Sequence, residues 1–348
     1  MIGTSFAQRL FIPARAWHNA KVESQLRTLQ SLHHFDLWVV QNALPGLSPS
    51  VYQTAFQLKV PLVHYLHNYR MACTNGFFLN HGQPCERCLH GNFWPAFQTA
   101  CWRDSRLISG MMGLILRRVR SIGTFQNVAV WVALSEAQRA KHVQMGIPEK
   151  RIHVIPHFYE PKESPPPPCP NGDILFLGRL SPEKGVDVLL RAWQLIRPCG
   201  RKLIVAGVGQ EESRLKALAI QLGLLSVEFP GFVRTQDQGA LWAHTSFSVM
   251  PSIWNEPFPL AFLEAWSNQR TVISSNLGAM AEVVDDGIDG LLCAPFSASS
   301  LATKIQYLID HPEQIAPMGA AGFAKLQTHF TKTIWLARIN KALSSALL

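Results

Sequence analysis

Two glutamates lie eight positions apart in the segment NEPFPLAFLEA (255–265), where a predicted strand gives way to a predicted helix. Pro257 and Pro259 are typical of a loop that enters a helix, and the first amides of such a helix have no intrahelical acceptor. These amides and the helix dipole favour a phosphate group. A diphosphate bound there would leave the carboxylates of Glu256 and Glu264 for the hydroxyls of a sugar and a ribose. The alternative is two exposed glutamates at a helix end, and spacing alone does not decide between them.

A second segment, LGRLSPEKG (177–185), offers positive charge at another strand end. Ser181 and Pro182 are typical of a helix N-cap and of the first helical position, so a helix is expected from Ser181 onward. Arg179 and Lys184 follow Gly178 and stand beside the amides of this helix start, an arrangement that suits a pyrophosphate. Taken alone, the segment is equally compatible with an ordinary capped helix that carries surface charges.

Two glycine-containing turns complete the set of strand ends. AGVGQEE (206–212) contains Gly207, and SSNLGAMAE (274–282) contains Gly278. A glycine lets the backbone approach a ligand closely. A single Gly-x-Gly is nevertheless a weak signal that usually marks a tight turn, and neither segment is a full dinucleotide fingerprint or a P-loop.

The elements that must position these loops alternate along the C-terminal half. Short apolar runs predict strands, and segments with helical spacing of apolar residues separate them. Such alternation indicates a parallel sheet covered on both faces, so the four loops meet at the carboxyl edge of one sheet. The predicted strands are DILFL (173–177), KLIVAG (202–207), VEFPG (227–231), FSVMPS (247–252), TVISS (271–275) and GLLCA (290–294).

The N-terminal half repeats this pattern with fewer elements. Its predicted strands are DLWVVQ (36–41), PLVHYL (61–66), VAVWVAL (128–134) and RIHVI (151–155). Its predicted helices cover 49–59, 104–120 and 135–145.

A proline run, Pro165 to Pro168, predicts a domain boundary, because such a run is stiff and continues neither a helix nor a central strand. The predicted organisation is a first domain at 1–160, a linker at 161–172, a second domain at 173–328 and a C-terminal helix at 329–348.

Taken as a set, the four loops of the second domain resemble the donor domain of glycosyltransferase family 4, a family of retaining enzymes with the GT-B fold. The resemblance rests on the Glu-x7-Glu element, the GRL and EKG elements, the AGVG turn and the SSNLGAMAE segment, and it covers 171–325. It extends to NALPGLSPSV (42–51), VPLVHYLHNYR (60–70) and 132–156, which look like the acceptor domain of that family. The implied fold class is α/β, with two Rossmann-like domains whose parallel sheets face a cleft.

The resemblance also implies roles for individual residues. Arg179 and Lys184 would bind the donor diphosphate, and Glu264 would hold the ribose. Glu256 would contact the sugar hydroxyls, and His67 would reach the transferred sugar and the reaction centre. The implied donor site also includes Gly178, Gly207, Phe258, Pro259 and Leu260.

Three features depart from the family pattern. Pro259 stands where the family commonly has a glycine, which removes one amide donor near the phosphates. HFYE (157–160) replaces an Asn-Gly turn. The first strand and the glycine-rich loop of the family have no counterpart here, so we expect an incomplete first domain.

Four cysteines lie in one polar insert at 71–103: Cys73, Cys85, Cys88 and Cys101. Four thiolates could form a closed tetrahedral zinc site, which would be structural rather than catalytic. A disulfide pair and simple reduced thiols remain alternatives, because the spacing is looser than in a typical zinc ribbon.

The segment RLISGMMGLILRRVRSIG (106–123) combines apolar residues with four arginines, and a helix of this kind can lie on an anionic bilayer. The alternative is a core helix with a basic C-terminal end. The net charge of +9 also favours an anionic partner. Nucleic acid is not expected, because no basic stripe interleaves with aromatic residues. Without a signal-like N-terminus or a spanning segment, the chain is expected in the cytoplasm, at the inner face of the membrane if the helix binds there.

The predicted function is therefore the transfer of a glycosyl group, most simply a hexosyl group, from a nucleotide diphosphate sugar to a sugar or lipid-linked acceptor, with retention. The leaving charge would be stabilised by cations and amides without a metal cofactor. The alternatives are a non-catalytic protein that binds the nucleotide sugar, and a sugar-nucleotide epimerase of the same fold, against which the Glu-x7-Glu element argues.

Overall fold

The structure is a computed structural model that describes residues 12–347, and it divides into two compact units. The first unit is assigned Met1–Ile155 together with Ala337–Leu348, and the second is Pro156–Leu336. Within the described residues, no helix combines the length and the apolar character needed to span a bilayer.

The first unit is built on a four-stranded parallel sheet with the order β1-β2-β5-β6. Every residue of β2 and β5 is buried, in agreement with their largely apolar sequences, in which His64 is the one histidine. The strands of this unit are β1 (Trp38–Gln41), β2 (Leu62–Tyr65), β3 (Leu79–Asn80), β4 (Gln83–Pro84), β5 (Val130–Ala133) and β6 (Ile152–Val154). Its helices are α1 (Ile12–Trp17), α2 (Ala20–His33), α3 (Ser50–Leu58), α4 (Trp94–Thr99), α5 (Arg106–Ser121), α6 (Thr124–Asn127) and α7 (Glu136–Gln144).

The second unit contains a six-stranded parallel sheet with the order β12-β11-β10-β7-β8-β9. The chain leaves β7 toward one edge and returns to place β10 on its other side, so the order of strands reverses between β7 and β10. Its strands are β7 (Asp173–Leu177), β8 (Leu203–Ala206), β9 (Val227–Gly231), β10 (Thr245–Met250), β11 (Val272–Ser275) and β12 (Gly290–Cys293). Its helices are α8 (Val186–Gln194), α9 (Glu212–Gln221), α10 (Gln238–Ala243), α11 (Leu260–Ser267), α12 (Ala279–Val283), α13 (Ala298–Asp310) and α14 (Ile315–His329), and α15 (Lys332–Ala346) follows them.

The core of the second unit lies between the sheet and its helices. Leu189, Leu190 and Trp193 on α8 share one face and are buried against strand residues such as Val205 and Phe247. The Trp193 indole donates a hydrogen bond of 3.0 Å to the Ser226 hydroxyl. Burial of each large apolar side chain contributes about 1.5–3 kcal/mol, which fixes the strand ends from which the loops emerge.

Two local predictions differ from the structure. The helix expected from Ser181 onward begins only at Val186, because Pro182–Lys184 forms a 3₁₀ turn and Gly185 then adopts a left-handed conformation with φ of 66°. The C-terminal segment predicted as one helix at 329–348 has α14 ending at His329 and α15 beginning at Lys332.

The proline-rich segment 161–172 lies inside the second unit instead of between the two units, since the division falls between Ile155 and Pro156. The buried Arg270 guanidinium donates to the carbonyl oxygens of Pro166 and Pro167 at 3.3 and 2.8 Å. The proline-rich segment therefore packs along the second unit, where the Arg270 guanidinium donates hydrogen bonds to its carbonyl groups.

Candidate functional site

A cavity of about 350 Å³ opens where β7 and β10 end, at the reversal of strand order in the second unit. In open α/β sheets this carboxyl-edge position is where ligands bind. The residues lining it are Phe176, Leu177, Gly178, Arg179, Lys184, Met250, Ser252, Glu256, Phe258, Pro259, Leu260, Ala261 and Met280. The structure thus brings together seven predicted donor-site residues from two segments that lie about 70 positions apart.

Arg179 is held at the cavity wall by the loop that follows β7. Its Nη2 donates to Glu183 Oε1 at 2.7 Å, and its Nε donates to Ser181 Oγ at 3.2 Å. The Ser181 hydroxyl in turn donates to the same Glu183 oxygen at 2.7 Å. Glu183 is buried, whereas the Arg179 side chain is 62% exposed, so a fixed anion orients an accessible cation.

Lys184 and Glu256 form an ion pair that also lines the cavity. The Lys184 ammonium donates to Glu256 Oε1, and the Ser252 hydroxyl donates to the same oxygen at 3.0 Å. Glu256 is only 6% exposed, and its environment supplies both a positive charge and a hydroxyl donor. The carboxylate is therefore held in a fixed orientation in the wall of the cavity.

Two glycines hold the backbone of these loops in place. Gly185 has a φ of 66°, and a Cβ there would lie 2.1 Å from the carbonyl oxygen of Pro251, one residue before Ser252. Gly278 has a φ of 57°, and a Cβ there would lie 2.9 Å from Cα of Asn255, one residue before Glu256. The predicted turn at Gly278 is thus a close approach between two loop backbones, and it sets the position of Glu256.

The start of α11 forms the remaining side of the cavity. Pro259 is the N-cap residue, with no side-chain cap, and its carbonyl accepts a hydrogen bond from Phe262 N at 2.9 Å. Helix geometry leaves the amides of Leu260 and Ala261, both lining residues, without an intrahelical acceptor. Phe258 is buried against the rings of His157 and Phe330, at centroid distances of 5.8 and 5.6 Å, which fixes the entry to the helix.

Glu264 does not line this cavity. It lies one turn further along α11, where burial raises the pKa of its carboxyl, while Lys162 opposes this shift. The Trp242 indole also opposes it, although its Nε1 forms no well-aligned hydrogen bond. Glu264 is therefore a half-buried carboxyl beside Lys162 of the proline-rich segment.

Gly207 also lies outside the lining residues. Its φ is 143°, and a Cβ there would lie 1.8 Å from the carbonyl oxygen of Gly178. The structure assigns it to the packing of the turn after β8 against the turn after β7, so it supports the cavity wall from behind.

His67 belongs to the first unit, just beyond the carboxyl end of β2. Its Nε2 lies 3.0 Å from Gln41 Oε1 at the end of the neighbouring β1, and its ring stacks on Tyr65 at 5.1 Å between centroids. Burial lowers the pKa of His67. The imidazole is therefore oriented by its neighbours and stays neutral to a lower pH than a solvent-exposed histidine.

The four cysteines of the insert converge on one small cavity, lined by Cys73, Cys85, Cys88 and Cys101 among others. All seven cysteines of the chain are free thiols. Cys73 Sγ donates to Asn75 Oδ1 at 3.0 Å, and Cys101 Sγ lies 3.0 Å from the Thr74 hydroxyl. Across residues 12–347 no group of three or more metal-ligating side chains is arranged to hold an ion. The zinc interpretation of these cysteines stays a prediction.

The lining or supporting residues that sequence reasoning did not name include Glu183, Ser252 and Met280. In the sequence, Glu183 has the position of an acidic residue in the first turn of a predicted helix. In the structure it is buried and pairs with Arg179. Ser252 follows β10 directly, and its position after a strand was the only signal available. Met280 reaches the cavity because the Gly278 turn brings α12 close to the Glu256 loop.

The geometry of this cavity suits an anionic group with attached hydroxyls. Arg179 and Lys184 supply positive charge, and the start of α11 supplies amide donors. Glu256 adds an acceptor next to the two cations, with one of its oxygens already engaged by Lys184 and Ser252. A diphosphate that bears a polyhydroxylated substituent satisfies all three kinds of group.

Residues 162–325, a little under half of the chain, match the family model described as Glycosyl transferases group 1. An uncharacterized glycosyltransferase of Methanocaldococcus jannaschii is 34% identical over 138 residues, which are 39% of this chain and 35% of that protein. A D-inositol 3-phosphate glycosyltransferase of Catenulispora acidiphila is 37% identical over 160 residues, which are 42% of this chain and 37% of that protein. The matched part spans about a third of the length of these curated relatives.

Among solved structures, the Anabaena protein Alr3699/HepE, in complex with UDP and glucose, superposes with a TM-score of 0.71. The two share 21% identity, and the match covers 92% of this chain and 81% of that one. The fold is GT-B. The predicted class, α/β with two Rossmann-like domains and parallel sheets, is confirmed, whereas the expected incompleteness of the first domain stays a prediction.

Proposed function

We propose that this protein transfers a glycosyl group from a nucleoside diphosphate sugar to an acceptor. The observation that carries the proposal is the single cavity that joins Arg179, Lys184, Glu256 and the first amides of α11 at the strand-order reversal. Residues 162–325, which include every lining residue of this cavity, match a glycosyltransferase family model. One of the solved structures of similar fold contains UDP and glucose.

The positive groups would act on the leaving diphosphate. Cleavage of the glycosidic bond places negative charge on the diphosphate oxygens, and preorganised donors stabilise charge that develops in a transition state. Arg179, Lys184, Leu260 and Ala261 all line the same cavity. No catalytic metal is required by this scheme, because the cations and amides supply the electrostatic stabilisation.

The acidic groups would orient the sugars. Glu256 would accept hydrogen bonds from hydroxyls of the transferred sugar, and Glu264 would hold the ribose, with the sign of its pKa shift indicating a partly desolvated carboxyl. His67 would contact the transferred sugar as a neutral imidazole. These assignments rest on the resemblance to family 4 together with the burial of the side chains named.

We infer retention of configuration and a front-face reaction, in which the leaving phosphate helps to deprotonate the acceptor hydroxyl. The inference rests on the family resemblance and on the engagement of Glu256, whose Oε1 is bound to Lys184 and Ser252. The hexosyl nature of the donor and a sugar or lipid-linked acceptor belong to the same proposal. A cytoplasmic location stays a prediction.

The proposal is tested with a panel of nucleoside diphosphate sugars, with calorimetric binding and nucleotide release measured on the same preparation. We expect Lys184→Met to weaken nucleotide binding about 10- to 100-fold, and Glu256→Gln to lower turnover at least as strongly with nucleotide binding retained. The exposed pair Lys202–Glu228 of the same unit provides matched controls, Lys202→Met and Glu228→Gln.

Three outcomes would contradict the proposal. Nucleotide binding without release of nucleotide by any donor and acceptor would favour the non-catalytic alternative. Conversion of the donor sugar without an acceptor would favour an epimerase. Wild-type rates in both Lys184→Met and Glu256→Gln would remove the cavity from the reaction, and NMR of the product anomer tests retention separately.

A further inference from the structure

An apolar groove of about 730 Å³ lies in the first unit, outside the donor site. It runs between α4 and α5. We call it the α4–α5 groove and define it by its lining residues: Gly91, Asn92, Phe93, Trp94, Phe97, Leu107, Gly110, Met111, Gly113, Leu114 and Arg117.

The groove exists because α5 is apolar on two faces. Met112, Ile115 and Leu116 point into the core of the unit and are fully buried. On the opposite side Leu107 and Leu114 are 80% and 56% exposed, at positions about two helical turns apart. A surface helix in water normally carries polar residues on that side, so this stripe indicates a surface that is covered by an apolar partner.

Two glycines let α4 approach α5 and shape the floor of the groove. A Cβ at Gly113 would lie 2.6 Å from Cβ of Phe93, and one at Gly110 would lie 3.0 Å from Phe97. Phe97 stacks on Trp94 at 5.0 Å between centroids, and Trp94 is 60% exposed at the rim. An exposed tryptophan beside apolar side chains is typical of an interface between hydrocarbon and water.

The charge around the groove selects the kind of partner. Residues 87–123 contain six arginines and a single acidic residue, Asp104. Arg118 is held by Gln53 and Arg120 by the carbonyl of Leu89, whereas Arg106 and Arg117 are exposed beside the groove. An apolar stripe with a cationic rim complements a surface that is hydrocarbon inside and anionic outside.

We propose that the α4–α5 groove docks on an anionic lipid bilayer, with Trp94, Leu107 and Leu114 in the hydrocarbon boundary and Arg106 and Arg117 at the headgroups. A helix that lies in the interface plane in this way binds through buried apolar area together with attraction to anionic lipids. A second copy of the chain would place two cationic rims in contact, which disfavours self-association through this face. The proposal does not depend on glycosyl transfer, because vesicle binding requires neither donor nor acceptor.

The test is co-sedimentation of the full chain with vesicles of phosphatidylglycerol and phosphatidylcholine in equal amounts, and with vesicles of phosphatidylcholine alone. We expect binding to the anionic vesicles, at least about tenfold weaker binding to the neutral ones, and weakening with added salt. Leu107→Asp/Leu114→Asp should reduce binding to the anionic vesicles about tenfold or more, and Arg106→Gln/Arg117→Gln should remove most of the preference for anionic lipid.

Leu225→Asp is the matched control, since Leu225 is 100% exposed in the second unit, and it should bind vesicles like the wild type. Thermal unfolding of each variant checks that the fold is retained. Failure of the wild type to sediment with anionic vesicles, or wild-type binding by the Leu107→Asp/Leu114→Asp variant, would overturn the proposal. A dimer that is lost in the same variant, without vesicle binding, would also overturn it in favour of a second copy.

Discussion

The Lys184 ammonium group and the Glu256 carboxylate are joined by a hydrogen-bonded ion pair between two loops of one sheet edge. The pair connects the turn after β7 to the segment that enters α11, and the Ser252 hydroxyl donates to the same carboxylate oxygen. An anion that enters the cavity can share the ammonium group, which would release part of the Glu256 carboxylate for a hydroxyl donor. In the proposed function, the pair would therefore link binding of the diphosphate to presentation of the acid.

The first prediction concerns the stability of this pair. Lys184→Met leaves a buried carboxylate with only Ser252 as a donor, so we expect the free energy of unfolding to fall by about 1–3 kcal/mol, less than for a fully buried pair because Lys184 is partly exposed. Glu256→Gln should cost less, since the ammonium can reach water. In the double variant the loss should be smaller than the sum of the two.

Urea unfolding of the four proteins in this cycle gives the coupling energy directly. The exposed pair Lys202–Glu228, treated in the same way, is the control and should show little or no coupling. Strict additivity at Lys184 and Glu256 would mean that the ion pair is not formed in solution.

The strands of both sheets could be predicted from the sequence to within two residues, because most of them are short runs rich in apolar residues. The inner strands β2, β5, β8 and β10 are buried on both faces, whereas β1 and β9 alternate in exposure. The start of α8 could not be predicted from the sequence. Ser181 and Pro182 have the composition of a helix start, but Gly185 takes a left-handed conformation that the close approach of Pro251 requires. That contact is tertiary, and no local pattern encodes it.

Some residues of the candidate site could likewise be predicted from the sequence, and others could not. Arg179, Lys184 and Glu256 could be predicted because each follows a strand end, and parallel strands bring their carboxyl ends to one edge. Ser252 and Glu183 could not be assigned, since the partner of a hydroxyl or of a buried acid depends on which loop packs against it. For Glu264 the family resemblance named a role, but the residue stands beside the cavity instead of lining it.

The second prediction concerns Gly185. Gly185→Ala should destabilise the protein and weaken nucleotide binding, because the new Cβ would meet the Pro251 carbonyl oxygen and shift Lys184. Gly223→Ala is the matched control, with a φ of 68° against 66° and no atom within 4 Å of the new Cβ. Both variants lose about 1 kcal/mol to backbone strain, and Gly185→Ala should lose at least about 2 kcal/mol more. Equal melting temperatures for the two variants would show that the loops can separate at no cost.

The third prediction concerns acid stability of the first unit. Burial lowers the pKa of His64 to about 3, with His142 and His67 adding to the shift, and burial lowers the pKa of His142 to about 4. Both histidines titrate near 6.5 in the unfolded chain, which therefore binds more protons below that pH. The free energy of unfolding should therefore decrease as the pH is lowered from 6.5 to about 4, by up to about 1.4 kcal/mol per pH unit for each histidine.

His142→Phe keeps an aromatic ring that can stack on Tyr69. It should reduce the pH dependence of the free energy of unfolding by the contribution of one proton bound in the unfolded chain. His244→Phe, at an exposed position in the second unit, is the matched control for removing one histidine. Urea unfolding at several pH values measures the slope. A slope for His142→Phe that equals the wild-type slope would mean that this imidazole is already charged in the folded protein.

The fourth prediction concerns the thiol cluster of the insert. Burial raises the pKa of Cys88 to about 12, and Cys73, Cys101 and Cys85 add to the shift. At about pH 8 roughly one Cys88 in ten thousand is then a thiolate, so iodoacetamide should modify it far more slowly than the exposed Cys199. Mass spectrometry of each cysteine during the reaction measures the order. One zinc ion per chain, with Cys73, Cys85, Cys88 and Cys101 protected together until a chelator is added, would contradict a protonated Cys88 and would support the zinc interpretation, because zinc binds the deprotonated sulfur.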